Sequence, residues 1–534
     1  MNGTHVVIKD SERVPLPGAV AAGRTGPHTK IEVTLKLRPK RRLPALLRRP
    51  RAKLNRDQLT EELGASHEDL EKVVQEFARH GLSATARDPM TRTVELTGTV
   101  AAAEKAFQVR LFNYVHPRGN YRGRVGHVRV PRALGGIVEG VFGLDNRRAV
   151  KLRRRPARIG AQGRALGAPS TWWLPSQLAE HYNFPPGDGK GQTVGLLEFG
   201  GGYFPADLQS YCQVAQVPAP SVATVSVDGT PTTARDGAEG EVMLDVEIIA
   251  GLCPAAQIVV YFAEWTEQGW IRALDSVIRD RTRDPGVISI SWGEAEGGDI
   301  WTAQAMQQIN ASLQDASRLG ITVCVAAGDD GSSDALSDGL AHVNFPASSP
   351  FVLSVGGTTI TAGQTVDVVW KEGDGLRADG GGCTGGGVSS VFRRPPWQAN
   401  LPVPSVNPGQ FSGRILPDVA ANADWDASPY LLVVDGQAQP NGGTSAASPL
   451  WAGLITRLNA QRGSGNRLGY LTPTLYQSQN GAGSAAIGAV GCTDVISGEN
   501  ATGRAEGYAA TVGYDAASGW GIPNGTRLAA ALPP

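Results

Sequence analysis

The sequence has 534 residues, and its 50 Lys and Arg residues balance 50 Asp and Glu residues, so the formal net charge is zero. A chain of this length is too long for a single hydrophobic core, which predicts two or more domains. The composition is that of a globular protein, and the sequence has no apolar run long enough to cross a bilayer as a helix.

The charge is divided unevenly between the two ends of the chain. Residues 1–166 contain 33 Lys and Arg against 15 Asp and Glu, a net charge of +18, and residues 167–534 contain 17 against 35, a net charge of −18. A basic block often indicates a nucleic acid or membrane partner. Here the acidic part of the same chain is the nearer partner, so neither nucleic acid nor membrane is expected. A salt-dependent shift of DNA would favour the alternative of a nucleic-acid arm.

The first 146 residues have the pattern of a compact α+β unit. TKIEVTLKL (29–37), TRTVELTG (91–98) and GHVRVP (126–131) are typical of strands. AAAEKAF (101–107) and LGGIVEGVFG (134–143) are interpreted as short helices. The following stretch, KLRRRPARIGAQGRALGAPS, is basic and rich in Gly, Ala and Pro, which predicts an exposed linker and a cleavage site.

The pattern changes from about residue 175 onwards. Short apolar runs of strand type recur with helical stretches between them, at 192–199, 256–263, 286–293, 321–329 and 351–357. This alternation indicates a parallel sheet with both faces covered. Functional groups gather at the carboxyl ends of such strands, where Glu198, Trp292 and Asp329 stand.

One helical stretch, EGEVMLDVEIIAG (239–251), is apolar over most of its circumference and yet contains four acids. Glu241 and Asp245 are four residues apart and therefore share one face of the helix. A buried carboxylate is costly unless it is paired or protonated. From this stretch alone, a surface helix with an acidic stripe remains the alternative to a functional pair.

A candidate nucleophile occurs in NGGTSAASPLWAGLI (441–455), where Ser445 follows two glycines at the start of an apolar helix. Most serines in this setting only cap a helix, but the AASP sequence and the sheet upstream resemble the nucleophile region of subtilisins. A subtilisin requires a histidine base. His181 and His342 are the two histidines of the large part, and neither has the expected Gly-Thr setting. Either the serine is structural or another group accepts its proton.

Taken together, Ser445, Glu241, Asp245 and AAGDDG (326–331) resemble the sedolisin family of serine-carboxyl peptidases, and its kumamolisin-like members in particular. The resemblance extends to LLEFGGGY, SISWG, FPASSP and the N-terminal unit. It implies a subtilisin-like doubly wound α/β fold preceded by a small α+β, ferredoxin-like prodomain. The implied domains are an inhibitory prodomain (1–147), a linker with the processing site (148–170) and a catalytic domain (171–534).

The resemblance also implies a role for each matching residue. Ser445 would be the nucleophile, Glu241 the general base and acid, Asp245 the carboxyl that orients Glu241, and Asp329 a protonated donor in the oxyanion hole. Glu198 and Trp292 would extend the hydrogen-bond network around these groups, whereas Glu239 and Glu247 are interpreted as surface charges. A shielded cluster of acids cannot ionise completely, so protons are shared and activity is expected at acidic pH.

Near the C-terminus, CTDVISGEN (492–500) and YAATVGYDAASGWG (508–521) resemble the calcium site of the same family. The resemblance implies one Ca²⁺ ion bound by the side chains of Asp494 and Asp515 and by the carbonyl groups of Val495, Thr511 and Gly513. Oxygen ligands of this kind suit Ca²⁺. From spacing alone, aspartates in Gly-rich loops are more often turn residues.

The expected function is that of an acid-active serine endopeptidase made as a zymogen that acts on protein or peptide substrates, with its own prodomain as inhibitor. A tripeptidyl-peptidase and a catalytically silent peptide-binding homologue are the alternatives. The resemblance implies a secreted monomer, although the N-terminus has no basic region followed by an apolar core as in a signal peptide. Five widely spaced cysteines give no disulfide or zinc pattern.

Overall fold

The computed structural model of the chain describes residues 4–42, 53–150, 172–361, 363, 366–373, 381–409, 411–463, 465–479 and 483–533. The N-terminal part, up to Val150, is a small α+β unit. Its elements are β1 (His5–Val7), β2 (Val20–Arg24), β3 (Lys30–Leu37), α1 (Arg56–Leu63), α2 (His67–Arg79), β4 (Ser83–Asp88), β5 (Thr93–Thr99), α3 (Val100–Phe107), β6 (Phe112–Val115), β7 (Tyr121–Gly123), β8 (Arg129–Pro131) and β9 (Val138–Phe142).

The central sheet of this unit has the order β4-β5-β3-β9, and all its strand pairs are antiparallel. Chain order β3-α2-β4-β5-α3-β9 combined with this sheet order is the ferredoxin-like, split βαβ arrangement. Alternation along β3 places Val33 and Leu35 in one core with Phe77 of α2 and Phe107 of α3. The expected ferredoxin-like fold is therefore confirmed.

The prediction of a helix at residues 134–143 is wrong, because this segment contains strand β9. Val138 and Val141 are β-branched, and glycines with positive φ bracket the strand at Gly136 (76°) and Gly143 (94°). The strand pairs with the buried strand β3, so tertiary pairing outweighs the helical spacing of the apolar residues.

The large part of the chain, from residue 172, is an α/β unit. Its elements are α4 (Pro175–His181), β10 (Thr193–Glu198), α5 (Pro205–Ala215), β11 (Ser221–Ser226), α6 (Glu239–Leu252), β12 (Gln257–Phe262), α7 (Glu267–Arg279), β13 (Val287–Ile290), β14 (Glu294–Ala295), α8 (Ala303–Arg318), β15 (Thr322–Ala326), β16 (Asn344–Phe345), β17 (Leu353–Thr359), β18 (Val368–Val369), β19 (Gly387–Arg393), β20 (Gly413–Leu416), β21 (Val419–Asn422), β22 (Tyr430–Val434), β23 (Gln437–Asn441), α9 (Thr444–Arg462), α10 (Thr472–Leu475), α11 (Ile487–Gly491), β24 (Cys492–Thr493), β25 (Ile522–Pro523) and α12 (Gly525–Ala531).

The main sheet has the order β11-β12-β10-β13-β15-β17-β18, and β21 also pairs with β17. Every neighbouring pair is parallel except β17 with β18. Leu196 of β10 points into a core with α6 and α9, and Leu197 points into the opposite core with α7 and α8. The sheet is covered on both faces, as its continuous apolar strands predict.

The two parts of the chain pack against each other through α7 and α8. The polar face of the ferredoxin-like sheet lies on these helices, where the Gln268 amide donates to Thr34 Oγ1 (2.9 Å) and Lys36 Nζ pairs with Asp275 (2.9 Å). Within the described residues, no helix is both long and apolar enough for a membrane crossing.

Candidate active site

Three functional positions meet at the carboxyl edge of the main sheet. Glu198 is the last residue of β10, Ser291 and Trp292 directly follow β13, and Asp329 follows β15 by three residues. These strands are parallel and adjacent, so their carboxyl ends lie together. Helices α6 and α9 lie over this sheet on one face and supply further groups.

Helix α6 is buried along nearly its whole length, and Glu241, Asp245 and Glu247 are each 0% exposed. The alternative of an acidic solvent stripe is therefore wrong. Glu239, at the start of the helix, is partly exposed and accepts from the backbone N–H of Gly237 (2.9 Å). The interpretation of Glu247 as a surface charge is also wrong, because Glu247 accepts from the backbone N–H of Val433 (2.8 Å) within the core. The apolar neighbours of Glu247 in sequence gave the true indication of its burial.

Ser291 connects the acids of α6 to the candidate nucleophile. Its hydroxyl donates to the carboxylate of Asp245, at 2.8 and 2.9 Å from the two oxygens, and lies 3.2 Å from the carbonyl oxygen of Ser445. The hydroxyl of Ser445 in turn donates to the carbonyl oxygen of Ser291 (3.3 Å). Sequence reasoning missed Ser291, although it directly precedes the singled-out Trp292.

Burial and mutual repulsion disfavour ionisation of these acids. Burial raises the pKa of Asp245 well above its ordinary value, and the charges of Glu198 and Glu241 raise it further, against the hydrogen bond from Ser291. Burial likewise raises the pKa of Glu198, opposed by the Trp292 indole N–H, which donates to Glu198 Oε2 (2.9 Å). These acids therefore retain protons at a pH where exposed carboxyl groups are ionised.

Asp329 is held beside the start of α9. The backbone N–H and the hydroxyl of Thr444 both donate to Asp329 Oδ1, at 2.8 and 2.7 Å. The same hydroxyl accepts from the N–H of Gly328 (3.1 Å). These bonds hold Asp329 against Thr444, the residue that precedes Ser445. Thr444 is a second site residue, after Ser291, that sequence reasoning missed.

The turn that presents Ser445 depends on glycine. Gly443 has a φ of 93°, in the region that favours glycine, and its N–H donates to the carbonyl of Ala423 (2.6 Å). Ser445 then lies in the first turn of α9, whose free N–H groups favour negative charge nearby.

The two histidines of the large part bond elsewhere. His181 Nε2 lies 3.2 Å from Asp367 Oδ1, and His342 Nε2 lies 2.9 Å from Asp338 Oδ1. In the part of the chain that the structure describes, neither histidine is hydrogen-bonded to Ser445. Neither histidine is therefore placed as a base for this serine.

Comparison with known proteins identifies the family of the chain. The chain matches the family models "Pro-kumamolisin, activation domain" over residues 17–147 and "Subtilase family" over residues 228–477. Kumamolisin of a Bacillus species is 40% identical, with 99% of this chain and 96% of that protein covered. The chain belongs to the sedolisin family of serine-carboxyl peptidases.

Two further sedolisin relatives differ more in sequence. Tripeptidyl-peptidase sed5 of Aspergillus fumigatus is 28% identical over 97% of this chain and 96% of its own length. The solved structure of Pseudomonas sedolisin, a serine-carboxyl proteinase complexed with two molecules of pseudo-iodotyrostatin, gives a TM-score of 0.59 at 28% identity and covers 67% of this chain and 97% of that one. This protein is accordingly a peptidase with an N-terminal activation domain, and the expected family and fold are confirmed.

Ion pairs of both polarities join the activation domain of this sedolisin to the peptidase part. Cations of the activation domain pair with buried carboxylates in Arg13–Glu267 (2.9 Å), Lys36–Asp275 (2.9 Å) and Arg92–Asp315 (2.7 Å). In the opposite sense, Arg272 of the peptidase part pairs with Glu95 (2.5 Å) and Glu32 (2.8 Å) of the activation domain. The predicted net attraction between the two parts therefore stays a prediction.

The last described residues of the activation domain, Ala149 and Val150, pack against the peptidase part. The Ala149 N–H donates to the Trp265 carbonyl (2.6 Å), the Trp270 indole N–H donates to the Ala149 carbonyl (3.0 Å), and Val150 is also buried. The predicted linker therefore begins with buried residues. Its remainder, 151–170, lies outside the described residues, so its processing site stays a prediction.

Asp494 joins the two C-terminal loops expected to bind calcium, and Asp515 bonds within the second loop. Asp494 Oδ2 accepts from the Gly513 N–H (2.8 Å), and Asp515 Oδ2 accepts from the Thr511 N–H (3.0 Å). Asp494 Oδ1 is buried and accepts no hydrogen bond within the described residues. A buried carboxylate oxygen of this kind fits a cation ligand. Among the described residues, no group of three or more His, Cys, Asp or Glu forms a metal cluster, but the expected set needs only two carboxylates.

The five cysteines are buried and form no disulfide. Burial raises the pKa of Cys253 to about 12 and that of Cys492 to about 12, which keeps both thiols protonated. Buried thiols of this kind pack as small apolar side chains.

Proposed function

We propose that this sedolisin is an acid-active serine endopeptidase made as a zymogen, with Ser445 as its nucleophile. The observation that carries the proposal is the buried cluster of Glu198, Glu241 and Asp245 at the edge where Ser445 lies. No histidine bonds to this serine in the described residues, so the acids are the available proton acceptors.

In the proposed mechanism, Glu241 accepts the proton of the Ser445 hydroxyl as its oxygen attacks the scissile carbonyl. Asp245 orients Glu241 from the next turn of the same helix. The proton then passes from Glu241 to the leaving amine, and water reverses the sequence to release the acyl group. Ser291 supports this step by fixing the carboxylate of Asp245.

Asp329 serves in this proposal as a protonated donor to the tetrahedral oxyanion. Thr444 donates twice to Asp329 Oδ1, so the proposal assigns the donated proton to the other oxygen, Oδ2. Such a donor is worth roughly 10²–10³ in kcat. Its protonation, together with the shared protons of Glu198 and Asp245, confines activity to acidic pH. Trp292 keeps Glu198 in place through its indole N–H.

We further propose one structural Ca²⁺ ion in the C-terminal loops. Asp494, Asp515 and the carbonyl groups of Val495, Thr511 and Gly513 would hold it. The ion would hold the two loops together and stabilise their folded conformation. The buried oxygen of Asp494 supports this assignment.

The zymogen proposal assigns residues 1–147 to an inhibitory prodomain, 148–170 to a linker that is cleaved, and 171–534 to the catalytic domain. The buried ion pairs between the two parts support an intramolecular inhibitor. A secreted monomer that cleaves protein or peptide substrates is the corresponding whole-protein proposal.

An endopeptidase is favoured over a tripeptidyl-peptidase because kumamolisin shares more sequence with this chain than tripeptidyl-peptidase sed5 does. Peptides with free and with acetylated N-termini separate the two activities. Cleavage of the acetylated set supports the endopeptidase, and cleavage confined to free N-termini contradicts it. A catalytically silent homologue would cleave neither set, and the intact Ser445, Glu241, Asp245 and Asp329 argue against it.

The deciding experiment follows the mass of the purified full-length protein after a shift from pH 7 to about pH 4, where carboxyl groups titrate. Ser445→Ala is the matched control. Loss of about the first 165 residues in the wild type alone supports self-processing by Ser445. If the mass is unchanged in both, limited trypsin treatment followed by a casein digest distinguishes an inert homologue from an enzyme activated by another protease.

A further inference from the structure

We infer that Glu247 and Asp207 are positioning residues that fix Ser445 relative to Glu241 and Asp245, acting through the hairpin that precedes the nucleophile. The inference rests on the proposed role of Ser445. Both are buried carboxylates that accept from backbone N–H groups of one hairpin.

The hairpin, β22 and β23, leads directly into the nucleophile. Its strands pair from Tyr430 with Asn441 to Val434 with Gln437, around a two-residue turn at Asp435 and Gly436. Only Gly442, Gly443 and Thr444 separate the end of β23 from Ser445. A shift of this hairpin therefore moves the nucleophile.

The outer edge of β22 is bound at three successive places. The Leu431 N–H donates to the Trp173 carbonyl (2.9 Å), and the Val433 N–H donates to Glu247 Oε2 (2.8 Å). At the turn, Asp207 accepts from the N–H groups of Asp435 (3.0 Å) and Gly436 (2.9 Å). An edge strand would otherwise present these groups unpaired.

Helix α6 thereby contacts the chain on both sides of Ser445, namely the hairpin that precedes it and helix α9, in whose first turn it lies. On one side, Glu247 of α6 holds the hairpin before Ser445. On the other side, α9 approaches the end of α6 closely at Gly453, where the Cys253 thiol donates to the Gly453 carbonyl (3.3 Å) and a Cβ atom would meet Leu252 Cδ1 at 2.6 Å. Contacts with the helix that carries Glu241 and Asp245 thus fix the position of Ser445 relative to these two acids.

A hydrogen bond that only stabilises the fold would change stability and leave turnover per folded molecule unchanged. A positioning role predicts a different result, since a small displacement of a nucleophile costs about 100-fold in rate. Glutamine at position 247 keeps an oxygen that can accept from Val433, whereas leucine fills the space without an acceptor.

The experiment compares Glu247→Leu, Glu247→Gln and Asp207→Ala in the full-length chain, each cleaved by limited trypsin treatment, with a peptide substrate. For Glu247→Leu we expect kcat to fall by about 100-fold with little change in KM, and for Asp207→Ala a smaller fall in kcat. Glu247→Gln should keep most of the activity. Affinity for a peptide aldehyde, which adds reversibly to a serine hydroxyl, should fall in parallel with kcat.

Asp280→Leu is the matched control. Asp280 also accepts from backbone N–H groups, those of Thr282 (3.1 Å) and Arg283 (2.9 Å), but it lies between α7 and β13 at the opposite edge of the sheet. Its loss should lower the free energy of unfolding and leave kcat unchanged.

Wild-type kcat in folded Glu247→Leu, or an equal loss of kcat in Asp280→Leu, overturns the inference. If Glu247→Leu does not fold, Asp207→Ala decides by the same criterion. Ser445→Ala separates the two proposals, because residual activity in that variant contradicts the nucleophile itself. If Ser445→Ala is inactive while Glu247→Leu and Asp207→Ala both keep the wild-type kcat, only the positioning inference is wrong.

Discussion

The hydroxyl of Ser291 lies 2.8 and 2.9 Å from the two carboxylate oxygens of Asp245, and the carbonyl of the same serine accepts from Ser445. A donor to a carboxylate favours its ionised form, so Ser291 lowers the pKa of Asp245 against the effect of burial. In Ser291→Ala we expect lower kcat and the alkaline limb of the kcat profile displaced to higher pH, because loss of this hydrogen bond raises the pKa of Asp245 further. The measurement is kcat from pH 2.5 to 7.

Ser289→Ala provides the control for this prediction. Ser289 lies on the same strand, but its hydroxyl bonds to that of Ser448 (2.9 Å) and not to an acid. We expect its pH profile to keep the wild-type position. An unmoved alkaline limb in Ser291→Ala would contradict the proposed link between Asp245 and the catalytic titration.

The raised pKa of Glu198 predicts a particular dependence of stability on pH. The folded state keeps a proton that the unfolded chain releases above about pH 4, so this contribution is complete at low pH and is lost as pH rises toward the folded-state pKa. Relative to Glu198→Gln, the parent free energy of unfolding should fall by about 1.4 kcal/mol per pH unit in that window. Urea unfolding in a Ser445→Ala background measures it.

Glu239→Gln is the comparison for this series, because Glu239 is a partly exposed acid at the start of α6. This variant makes the same acid-to-amide exchange outside the buried cluster and gives the baseline for the series. A pH-independent difference for Glu198→Gln would contradict the assignment of a retained proton to Glu198.

The hydrogen bonds from Thr444 to Asp329 predict how Asp329 tolerates substitution. Asparagine can accept from Thr444 with its oxygen and donate with its amide at any pH, whereas alanine does neither. We expect Asp329→Ala to lose roughly 10²–10³ in kcat. Asp329→Asn should retain more activity, with a weaker decline toward neutral pH. Equal kcat values for both variants across the pH range would contradict an oxyanion role.

Much of the architecture could be predicted because its signals are local. Continuous apolar runs predict the parallel sheet, and the spacing of Glu241 and Asp245 predicts one shared helix face. The segment that became β9 was misassigned because its pairing with β3 is a contact between positions a hundred residues apart, which local spacing does not reveal.

The acid cluster shows the same limit within the site. The resemblance gave roles to Glu241, Asp245 and Ser445, whereas Glu247 matched no role and was interpreted as a surface charge although its neighbours are apolar on both sides. Ser291 and Thr444 were missed because their function lies in side-chain contacts that form only after β13, β15 and α9 meet. Serine and threonine are common in turns and caps, so sequence alone gives them no distinguishing signal.

The proposed calcium site predicts dependence of stability on the free ion. A ligand present at 100 times its Kd stabilises a protein by about 2.7 kcal/mol. Removal of calcium by a chelator should therefore lower the Tm, and Asp494→Asn should abolish the difference between chelated and calcium-loaded protein. Asp188→Asn is the control, since Asp188 likewise accepts from one backbone N–H, that of Lys190 (3.0 Å). A full calcium response in Asp494→Asn would contradict the site.

The ion pair between Lys36 and Asp275 predicts how the zymogen responds to acid. Both side chains are almost completely buried, at 1% and 3% exposure, and Thr93 Oγ1 also donates to Asp275 (2.7 Å). A buried ammonium group that loses its counter-charge strongly destabilises the packing around it. Loss of such pairs should loosen the activation domain as the catalytic acids reach their working protonation.

Replacement of this pair by apolar residues tests the idea in the full-length chain. Lys36→Met combined with Asp275→Leu removes both charges without leaving either one unpaired, and such exchanges are often neutral or stabilising. We therefore expect self-processing to begin at lower pH than in the wild type, as followed by mass against time across pH 3–7. Arg79→Met with Glu76→Leu removes an exposed pair within the activation domain and should leave the onset unchanged. An unchanged onset in the Lys36 and Asp275 variant would mean that release depends on other contacts, because the most deeply buried charge of the interface would then carry none of the response to acid.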